Sequence, residues 1–195
     1  MLATAQVVQG GGARVHLVRG LLQMTSNTRI CAPAVTCRCM PGDNLALHVA
    51  LARAPAGSVL VCDAGGDVHW GYFGELMGTD ARNRGLAGLI IDGSVRDVDD
   101  LGRLGFPVFA RATAPAQAKK LAIGSVGQPI ELSGQRVEPG DQLIADRDAI
   151  AVVRAADWMA VRGTAEEIAR HEAGVQQRLK SGERLAEIIG LKLPD

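Results

Sequence analysis

Residues 88–109 read GLIIDGSVRDVDDLGRLGFPVF, an apolar run that becomes charged within a few positions. The uninterrupted run LAGLIID is typical of a strand that is buried on both faces. The charged stretch RDVDDLGRLG predicts a short helix, and FPVFARA, which is entered through a proline, predicts the next strand. Asp92, Arg96 and Asp97 therefore stand where a core strand ends.

The same alternation extends towards the N-terminus. ICAPAVTCRCM predicts a strand, PGDNLALHVALARAPAG an amphipathic helix, and SVLVCDAGG a buried strand that leads into a loop. GELMGTDARNRG predicts a polar helix with Gly85 as its left-handed cap. This order predicts a layered α/β core with crossover connections. The later stretch QPIELSGQRVEPGDQLIADRDAIAVVRA predicts short antiparallel strands joined by Gly and Pro turns.

The two ends of the chain differ from this core. The N-terminal stretch LATAQVVQGGGARVHLVRGLLQM is weakly helical and is interrupted by Gly10, Gly11 and Gly12. Near the C-terminus, Thr164 and Glu167 form a capping-box pattern that predicts the start of a long, charged helix. We therefore expect one α/β domain over residues 1–160, which carries the chemistry, and a helical extension over 161–195 that packs on a neighbouring subunit.

Composition excludes several classes of protein. The 195 residues include 21 basic and 21 acidic ones, and this balance argues against a nucleic-acid-binding face. No apolar run approaches the roughly 20 residues that a membrane span needs. The first 30 residues lack the pattern of a signal peptide, so we expect a cytoplasmic protein with no membrane partner.

The four cysteines are Cys31, Cys37, Cys39 and Cys62. They form no CxxC pair, and a zinc site would need more ligands at better spacing. In TCRCM, Cys37 and Cys39 alternate with Arg38, so both would point to one face of a strand. We interpret all four as reduced, structural thiols.

Candidate chemistry lies at two strand ends, because ligand sites in α/β sheets form beyond the carboxyl ends of strands. Glu75 begins one predicted helix, and twenty residues separate it from Arg96 and Asp97. Carboxylates with retained waters suit Mg²⁺ or Mn²⁺, and an arginine beside the metal suits an oxyanion. The backbone amides of Leu76 and Met77, near a helix N-terminus, could hold a carboxylate. Together these residues indicate a site for a small anionic keto acid.

Each of these residues also has a simpler structural interpretation. Asp97 could cap the following helix. Glu75 could serve only to complement a helix dipole. Arg96 could pair on the surface with Asp99 or Asp100.

The segments CMPGDNLALHVAL, VLVCDAGG, GELMGTDARNRGLAGLIIDGSVRDVDDL and GFPVFAR resemble a known family over about residues 28–155. This family joins the class II pyruvate aldolases for 4-hydroxy-4-methyl-2-oxoglutarate and 4-carboxy-4-hydroxy-2-oxoadipate with the regulator of ribonuclease activity A. Its pattern of an acid, twenty residues, arginine and aspartate appears here as Glu75, Arg96 and Asp97. The family's first acid is often Asp, and Glu75 is one methylene longer.

The resemblance implies a swivelling β/β/α-type α/β domain, with a mixed central sheet, flanking helices and a C-terminal helix, assembled as homotrimers or hexamers. It implies that Asp97 binds a divalent metal, Mg²⁺ or Mn²⁺, and that Glu75 reaches the metal through water. Arg96 would stabilise an enolate oxygen, and the amides of Leu76 and Met77 would bind the pyruvyl carboxylate.

The activity implied is cleavage of a 4-hydroxy-2-oxo acid to pyruvate and a second keto acid through a metal-stabilised enolate. Oxaloacetate decarboxylation, which passes through the same enolate, would be a side activity. The resemblance also implies that an acid from a neighbouring subunit's C-terminal region approaches the metal. Alignment by eye places Glu172 there, although Glu166, Glu167 and Glu183 are nearby alternatives, and a solvated helix face is the simpler interpretation.

Two other functions are open at this stage. A non-enzymatic regulator that binds and inhibits a ribonuclease complex would share the fold, but that branch often lacks the acid after the arginine, which is Asp97 here. A methyltransferase should have a glycine-rich loop after its first strand, and DAGGD after SVLVC matches that pattern poorly.

Overall fold

The computed structural model describes residues 1–26 and 28–192. Its first helix and early strands are α1 Thr4–Gly11, a 3-10 turn Gly12–Arg14, β1 Val15–Val18, β2 Leu22–Gln23 and β3 Ile30–Arg38. The central elements are α2 Leu45–Arg53, β4 Val59–Gly71, α3 Glu75–Asn83, β5 Gly88–Val95, α4 Val98–Leu104 and β6 Val108–Thr113. The remaining elements are β7 Ser125–Val126, β8 Ile130–Leu132, β9 Gln135–Val137, β10 Gln142–Ala145, β11 Ile150–Val153, α5 Trp158–Lys180 and α6 Leu185–Ile188.

The main sheet is mixed, with strand order β1-β11-β10-β3-β4-β5-β6-β2, and β7 pairs with β3. Strands β3, β4, β5 and β6 run parallel to one another, whereas β1, β2, β10 and β11 pair antiparallel with their neighbours. The predicted parallel core, the antiparallel later strands and the mixed sheet with flanking helices are therefore confirmed. Gly85 ends α3 in the left-handed conformation, as predicted, with φ of 73°.

The two faces of the sheet bury different cores. On one face, α2, α3 and α4 cover a cluster that includes Leu60, Ile91 and Leu101. On the other face, the β8–β9 hairpin covers a cluster that includes Ile90 and Leu132. Because successive side chains of a strand point to opposite faces, neighbouring residues of β5 pack into different cores.

The cysteines lie in these cores. Cys37, Cys39 and Cys62 are buried as free thiols in the cluster beneath the helices, and the Sγ atoms of Cys39 and Cys62 lie 3.6 Å apart. Cys37 and Cys39 share one core, as the alternation in TCRCM predicts. Cys31 is partly buried on the side that faces α5.

Strand β4 is longer than the sequence predicts. The loop expected after Asp63 is instead a bulged continuation of the strand, in which Asp67 pairs with Gly93 and Gly71 pairs with Ser94 on β5. Residues 65 and 66 are glycines with φ of 66° and 72°, values at which other residues are strained. These glycines let β4 bend while it remains beside β5, and so bring its end to the start of α3.

Helix α5 starts earlier than predicted, and its N-terminal part packs against α1. The capping-box prediction is wrong: α5 begins at Trp158, and the Thr164 hydroxyl donates within the helix to the Ala160 carbonyl, 3.3 Å away. Gly10 does not break α1 but lies inside it, where a Cβ would come within 2.9 Å of the Ala165 nitrogen. The glycine is needed because the two helices approach so closely.

The division at residues 160 and 161 stays a prediction, as does packing of the extension on a neighbouring subunit. Val161 and Ala165 of α5 are buried against α1 and strands β10 and β11, so the first turns of the helix belong to this chain's own core. Residues 193–195 of the predicted extension lie outside the described residues. In the described parts of the chain, no helix is long and apolar enough to cross a membrane.

Asp92, the first charge after the apolar run, ties β5 to the hairpin face. It is 5% exposed, accepts a hydrogen bond from the backbone N–H of Ser133 at 2.8 Å, and pairs with Arg111 at 2.6 Å. Ser133 lies in the turn between β8 and β9, so this carboxylate holds the hairpin against the sheet. Asp92 is therefore a structural residue.

We expect Asp92→Ala to lower the free energy of unfolding by about 2–3 kcal/mol, because it leaves the Ser133 amide and Arg111 without their buried partner. Asp100→Ala is the matched control, since Asp100 pairs with Arg103 on the exposed surface of α4. That change should cost less than about 1 kcal/mol. Urea unfolding measures both, and equal losses would contradict the structural role of Asp92.

Candidate active site

The segment that joins β5 to α4 holds Arg96 and Asp97 in a constrained backbone. The Arg96 N–H donates to the carbonyl of Phe73 at 2.9 Å, which links this segment to the end of β4. Asp97 has φ of 54° and ψ of 40°, the left-handed conformation. For a residue other than glycine this conformation costs about 1–2 kcal/mol, and such strain is often found at functional sites.

The side chain of Asp97 does not cap α4, although the residue occupies the capping position. Its Oδ2 instead accepts a hydrogen bond from the backbone N–H of Glu75 at 3.2 Å and lies 3.3 Å from Nε of Arg96. The structure thus brings together the three residues of the acid–Arg–Asp pattern. Within the described residues Arg96 pairs with Asp97 and not with Asp99 or Asp100, and Asp100 pairs with Arg103.

Gly74 permits this close approach. It precedes α3 in an extended conformation, and a Cβ there would collide with Oδ2 of Asp97 and come within 3.1 Å of Nε of Arg96. The first turn of α3 follows directly. In that turn the N–H groups of Leu76 and Met77 have no acceptor within the helix, so they are available to an anion.

Arg96 lines two cavities. The smaller one, about 110 Å³, is lined by Asn44, His48, Gly71, Tyr72, Phe73, Gly74, Leu76, Met77, Arg96, Gln117 and Lys120. The larger one, about 360 Å³, is lined by Arg96, Asp97, Val98, Asp99, Thr113, Ala114 and Pro115. The Arg96 side chain is 34% exposed and that of Asp97 is 37% exposed, so both are reachable by a small ligand.

The donor set at this position fits a hydrated hard cation. Among the described residues, no group of three or more His, Cys, Asp or Glu side chains is placed to hold a metal ion. Asp97 offers one carboxylate, with Oδ2 engaged and Oδ1 open to a cation, and the exposed side chain of Glu75 begins the adjacent helix. One direct carboxylate with several waters suits Mg²⁺ or Mn²⁺.

Glu172 lies elsewhere in this chain. Its Oε2 accepts a hydrogen bond from Nε2 of Gln6 on α1 at 2.8 Å, and the cavity that Glu172 lines does not include Asp97 in its wall. Two of the alternative acids form ion pairs, Glu166 with Arg162 and Glu183 with Arg178. The approach of Glu172 to a neighbouring subunit's site stays a prediction.

The polar wall of the smaller cavity was not predicted from the sequence. Asn44 and His48 line it, and their spacing of four residues places them on one side of α2. Two polar residues at helical spacing within the apolar run NLALHVAL were the available signal. Lys120 and Gln117 come from an irregular segment, which no pattern predicts.

Comparison with known proteins identifies the family. The family model described as "RraA-like: Aldolase/RraA" matches residues 4–152. The chain belongs to this family. The resemblance seen in the sequence is therefore confirmed. The match to the family model begins closer to the N-terminus than the motifs that carry the resemblance.

Members similar to this chain carry different names. A relative from Halalkalibacterium halodurans, named "Putative 4-hydroxy-4-methyl-2-oxoglutarate aldolase", is 35% identical over 71% of this chain and 66% of its own length. The chain thus spans slightly less than two thirds of that relative. Among solved structures, an S-adenosylmethionine: 2-dimethylmenaquinone methyltransferase from Geobacillus kaustophilus HTA426 has a TM-score of 0.75 at 29% identity, covering 78% of this chain and 95% of that one.

A further solved structure is the RNA-processing inhibitor RraA from Thermus thermophilis, with a TM-score of 0.72 at 26% identity. The match covers 78% of this chain and 93% of that chain. These RraA-like proteins share the fold under names that describe an aldolase, a methyltransferase and an inhibitor. The activity of this chain therefore has to be argued from its own site.

We expect Gly74→Ala to lower the free energy of unfolding by about 1–3 kcal/mol, because the added methyl group would displace the Asp97 carboxylate and Arg96. Gly163→Ala is the matched control, since nothing lies within 4 Å of a Cβ at that position in α5. It should be neutral or stabilising by about 0.5–1 kcal/mol. Chemical unfolding of both variants measures this, and equal stability would contradict the tight packing at Gly74.

Proposed function

We propose that the protein is a divalent-metal-dependent aldolase, a carbon–carbon lyase that cleaves 4-hydroxy-2-oxo acids to pyruvate and a second keto acid. The substrate class is that of 4-hydroxy-4-methyl-2-oxoglutarate and 4-carboxy-4-hydroxy-2-oxoadipate. The observation that carries the proposal is the meeting of Arg96, Asp97 and the start of α3 around two adjoining cavities. The name of the Halalkalibacterium halodurans relative supports the same substrate class.

The residues divide the work of binding. Asp97 would hold the cation directly through its carboxylate, and Glu75 would hold one of the cation's waters. The amides of Leu76 and Met77 would bind the carboxylate of the substrate at the positive end of the helix dipole. When bound, the cation supplies a Lewis acid for the keto group.

Cleavage then requires the proton of the 4-hydroxyl group to pass to the water positioned by Glu75, and the electrons of the C3–C4 bond to move onto the fragment that bears the 2-keto group. The second keto acid departs, and the remaining fragment is the enolate of pyruvate. The guanidinium of Arg96 would stabilise the negative enolate oxygen through its fixed fork of N–H donors. The water positioned by Glu75 would return the proton to C3 of the enolate, which gives pyruvate.

Decarboxylation of oxaloacetate is the expected side activity. Loss of CO₂ from oxaloacetate leaves the same pyruvate enolate, so the groups that stabilise the one reaction also stabilise the other. No Schiff-base lysine is needed for either reaction.

The strained backbone at Asp97 supports the proposed role of this residue in binding the cation. It directs the carboxylate away from α4 and towards the start of α3.

We expect Asp97→Asn to abolish pyruvate release from 4-hydroxy-4-methyl-2-oxoglutarate in the presence of Mg²⁺, because an amide binds the cation far more weakly than a carboxylate does. Asparagine also tolerates the left-handed backbone, so the fold should persist. EDTA should abolish wild-type turnover equally. Coupling to lactate dehydrogenase measures pyruvate, and Asp80→Asn, an exposed residue on α3, is the control. Full activity of Asp97→Asn would refute the proposed metal role.

We expect Arg96→Ala to lower kcat by about 10²–10³-fold while the concentration of Mg²⁺ needed for half-maximal activity changes little. The reason is that Arg96 would act on the charge that develops during cleavage. Arg103→Ala, which removes an exposed arginine from α4, is the control. If Arg96→Ala weakened metal activation as much as it lowered kcat, Arg96 would instead be a structural support for Asp97.

The regulator of a ribonuclease complex is the alternative, and it is favoured by the likeness to the Thermus thermophilis inhibitor. It requires no metal and no keto acid. If no keto acid released pyruvate with either Mg²⁺ or Mn²⁺, that result would favour the regulator over the aldolase. The methyltransferase name of the Geobacillus kaustophilus structure finds less support here, because Gly65 and Gly66 lie within β4 and not in a loop that leads into a helix.

Assembly as a homotrimer or hexamer, with Glu172 contributed by the neighbouring subunit, is part of the same proposal. It would explain why this chain alone provides so few metal-binding carboxylates at the site.

A further inference from the structure

We propose that Cys39 and Cys62 form an oxidation site, at which hydrogen peroxide converts the two thiols to a reversible disulfide, and that this bond displaces a wall of the smaller cavity. The site lies in the core beneath α2. It uses none of the residues assigned to metal binding or to cleavage. The inference therefore does not depend on the proposed function.

The two sulfur atoms are already in contact. Sγ of Cys62 donates to Sγ of Cys39 across 3.6 Å, and both residues are free thiols. A disulfide bond is about 2.05 Å long, so the two atoms need to approach by only about 1.5 Å more. Cys37 stands opposite Cys62 in the pairing of β3 with β4 and packs into the same core. Three thiols thus share one small volume.

Cys39 is suited to react first. It is 5% exposed, whereas Cys37 and Cys62 are fully buried. The thiols of Cys37 and Cys62 and the backbone N–H of Leu47 donate to its sulfur, and together they lower the pKa of Cys39 below its usual range. Leu47 lies in the first turn of α2, so the positive end of this helix also stabilises a thiolate. The thiolate is the form that attacks a peroxide.

Cys62 is suited to complete the bond. Its contacts with Cys37 and Cys39, together with its burial, raise the pKa of the Cys62 thiol. It therefore keeps its proton, in agreement with its position as the donor to Cys39. A protonated thiol beside a thiolate does not compete for the peroxide, and it lies within reach of the oxidised sulfur.

The oxidation balances in two steps. The Cys39 thiolate attacks one oxygen of hydrogen peroxide, so that an S–O bond forms, the O–O bond breaks, and the departing hydroxide takes up a proton to become water. The Cys62 sulfur then attacks the Cys39 sulfur. The S–S bond forms, the S–O bond breaks, and a second water leaves with the Cys62 proton. The two thiols lose two electrons, and the peroxide gains them.

The turn after Cys39 connects the thiols to the smaller cavity. The Gly42 N–H donates to the Tyr72 hydroxyl at 2.8 Å, and Nδ2 of Asn44 donates to the Tyr72 carbonyl at 2.8 Å. Asn44 and Tyr72 both line the smaller cavity. Movement of the Cys39 sulfur towards Cys62 pulls on this turn, and the displacement reaches the cavity wall through Asn44.

Trp70 provides a signal for movement of the turn. Its ring packs on Gly42, where a Cβ would lie 3.2 Å from Nε1 of Trp70. The chain has two tryptophans, so Trp158→Phe leaves Trp70 as the sole indole emitter. We expect peroxide to change the fluorescence of this variant, and dithiothreitol to restore it.

The test treats the folded wild type with hydrogen peroxide, denatures it in the presence of an alkylating reagent, and maps its peptides by mass spectrometry. We expect two of the four thiols to be lost, with Cys39 and Cys62 in one cross-linked peptide pair that dithiothreitol separates. Cys31→Ala is the matched control, because Cys31 lies in a different core. It should form the same bond at the same rate.

Two variants separate the roles of the cysteines. Cys39→Ala should slow the loss of thiols at least about tenfold, because the reactive thiolate is gone. Cys62→Ala should let Cys39 proceed to the sulfinic acid, because no thiol remains to displace the oxygen.

The wild type decides the outcome, so the result does not depend on how well a variant folds. Four intact thiols after treatment would overturn the inference, as would a bond between any other pair of cysteines. A Cys39–Cys62 bond that left the Trp70 fluorescence unchanged would equally overturn the inferred displacement. No keto acid or metal is present in these measurements, so they are independent of whether the protein is an aldolase.

Discussion

The hydrogen bond from the Glu75 amide to the Asp97 carboxylate joins the start of α3 to the end of β5. Everything else at the site is arranged around this contact. Gly74 has no side chain because the carboxylate needs its space, and Asp97 accepts a strained backbone because α4 must begin beyond it. The start of α3 and the end of β5 are thus fixed relative to one another before any ligand binds. This fixed geometry lowers the conformational entropy that is lost on binding.

Charges that are close in the sequence have different roles because one lies on β5 and the other lies beyond its end. Asp92 points to the hairpin face and holds Ser133 and Arg111 in place, whereas Asp97 lies beyond the strand and faces α3. The sequence shows both as acids after an apolar run. Only the partners distinguish them, and those partners come from segments that are far away in the chain.

The parallel core was predictable, since apolar runs of strand length alternate with capped helices from β3 to β6. The meeting of Glu75 with Arg96 and Asp97 was also predictable, because parallel strands place their carboxyl ends at one edge. The continuation of β4 was not predictable, because a pair of glycines such as Gly65 and Gly66 is equally compatible with a loop and with a bulged strand. The early start of α5 was missed for a similar reason: Thr164 matches a capping pattern, but its hydroxyl bonds inside the helix.

Arg96 lines both cavities, and the remaining walls of each cavity are its own. The smaller is built mainly from α2, the start of α3 and the segment around Lys120, whereas the larger is built from the start of α4 and residues 113–115. Substitutions in the second set would leave the first untouched. In evolutionary terms, a lineage could change the lining of one cavity while it keeps that of the other, and one fold could in this way come to accept ligands of several shapes.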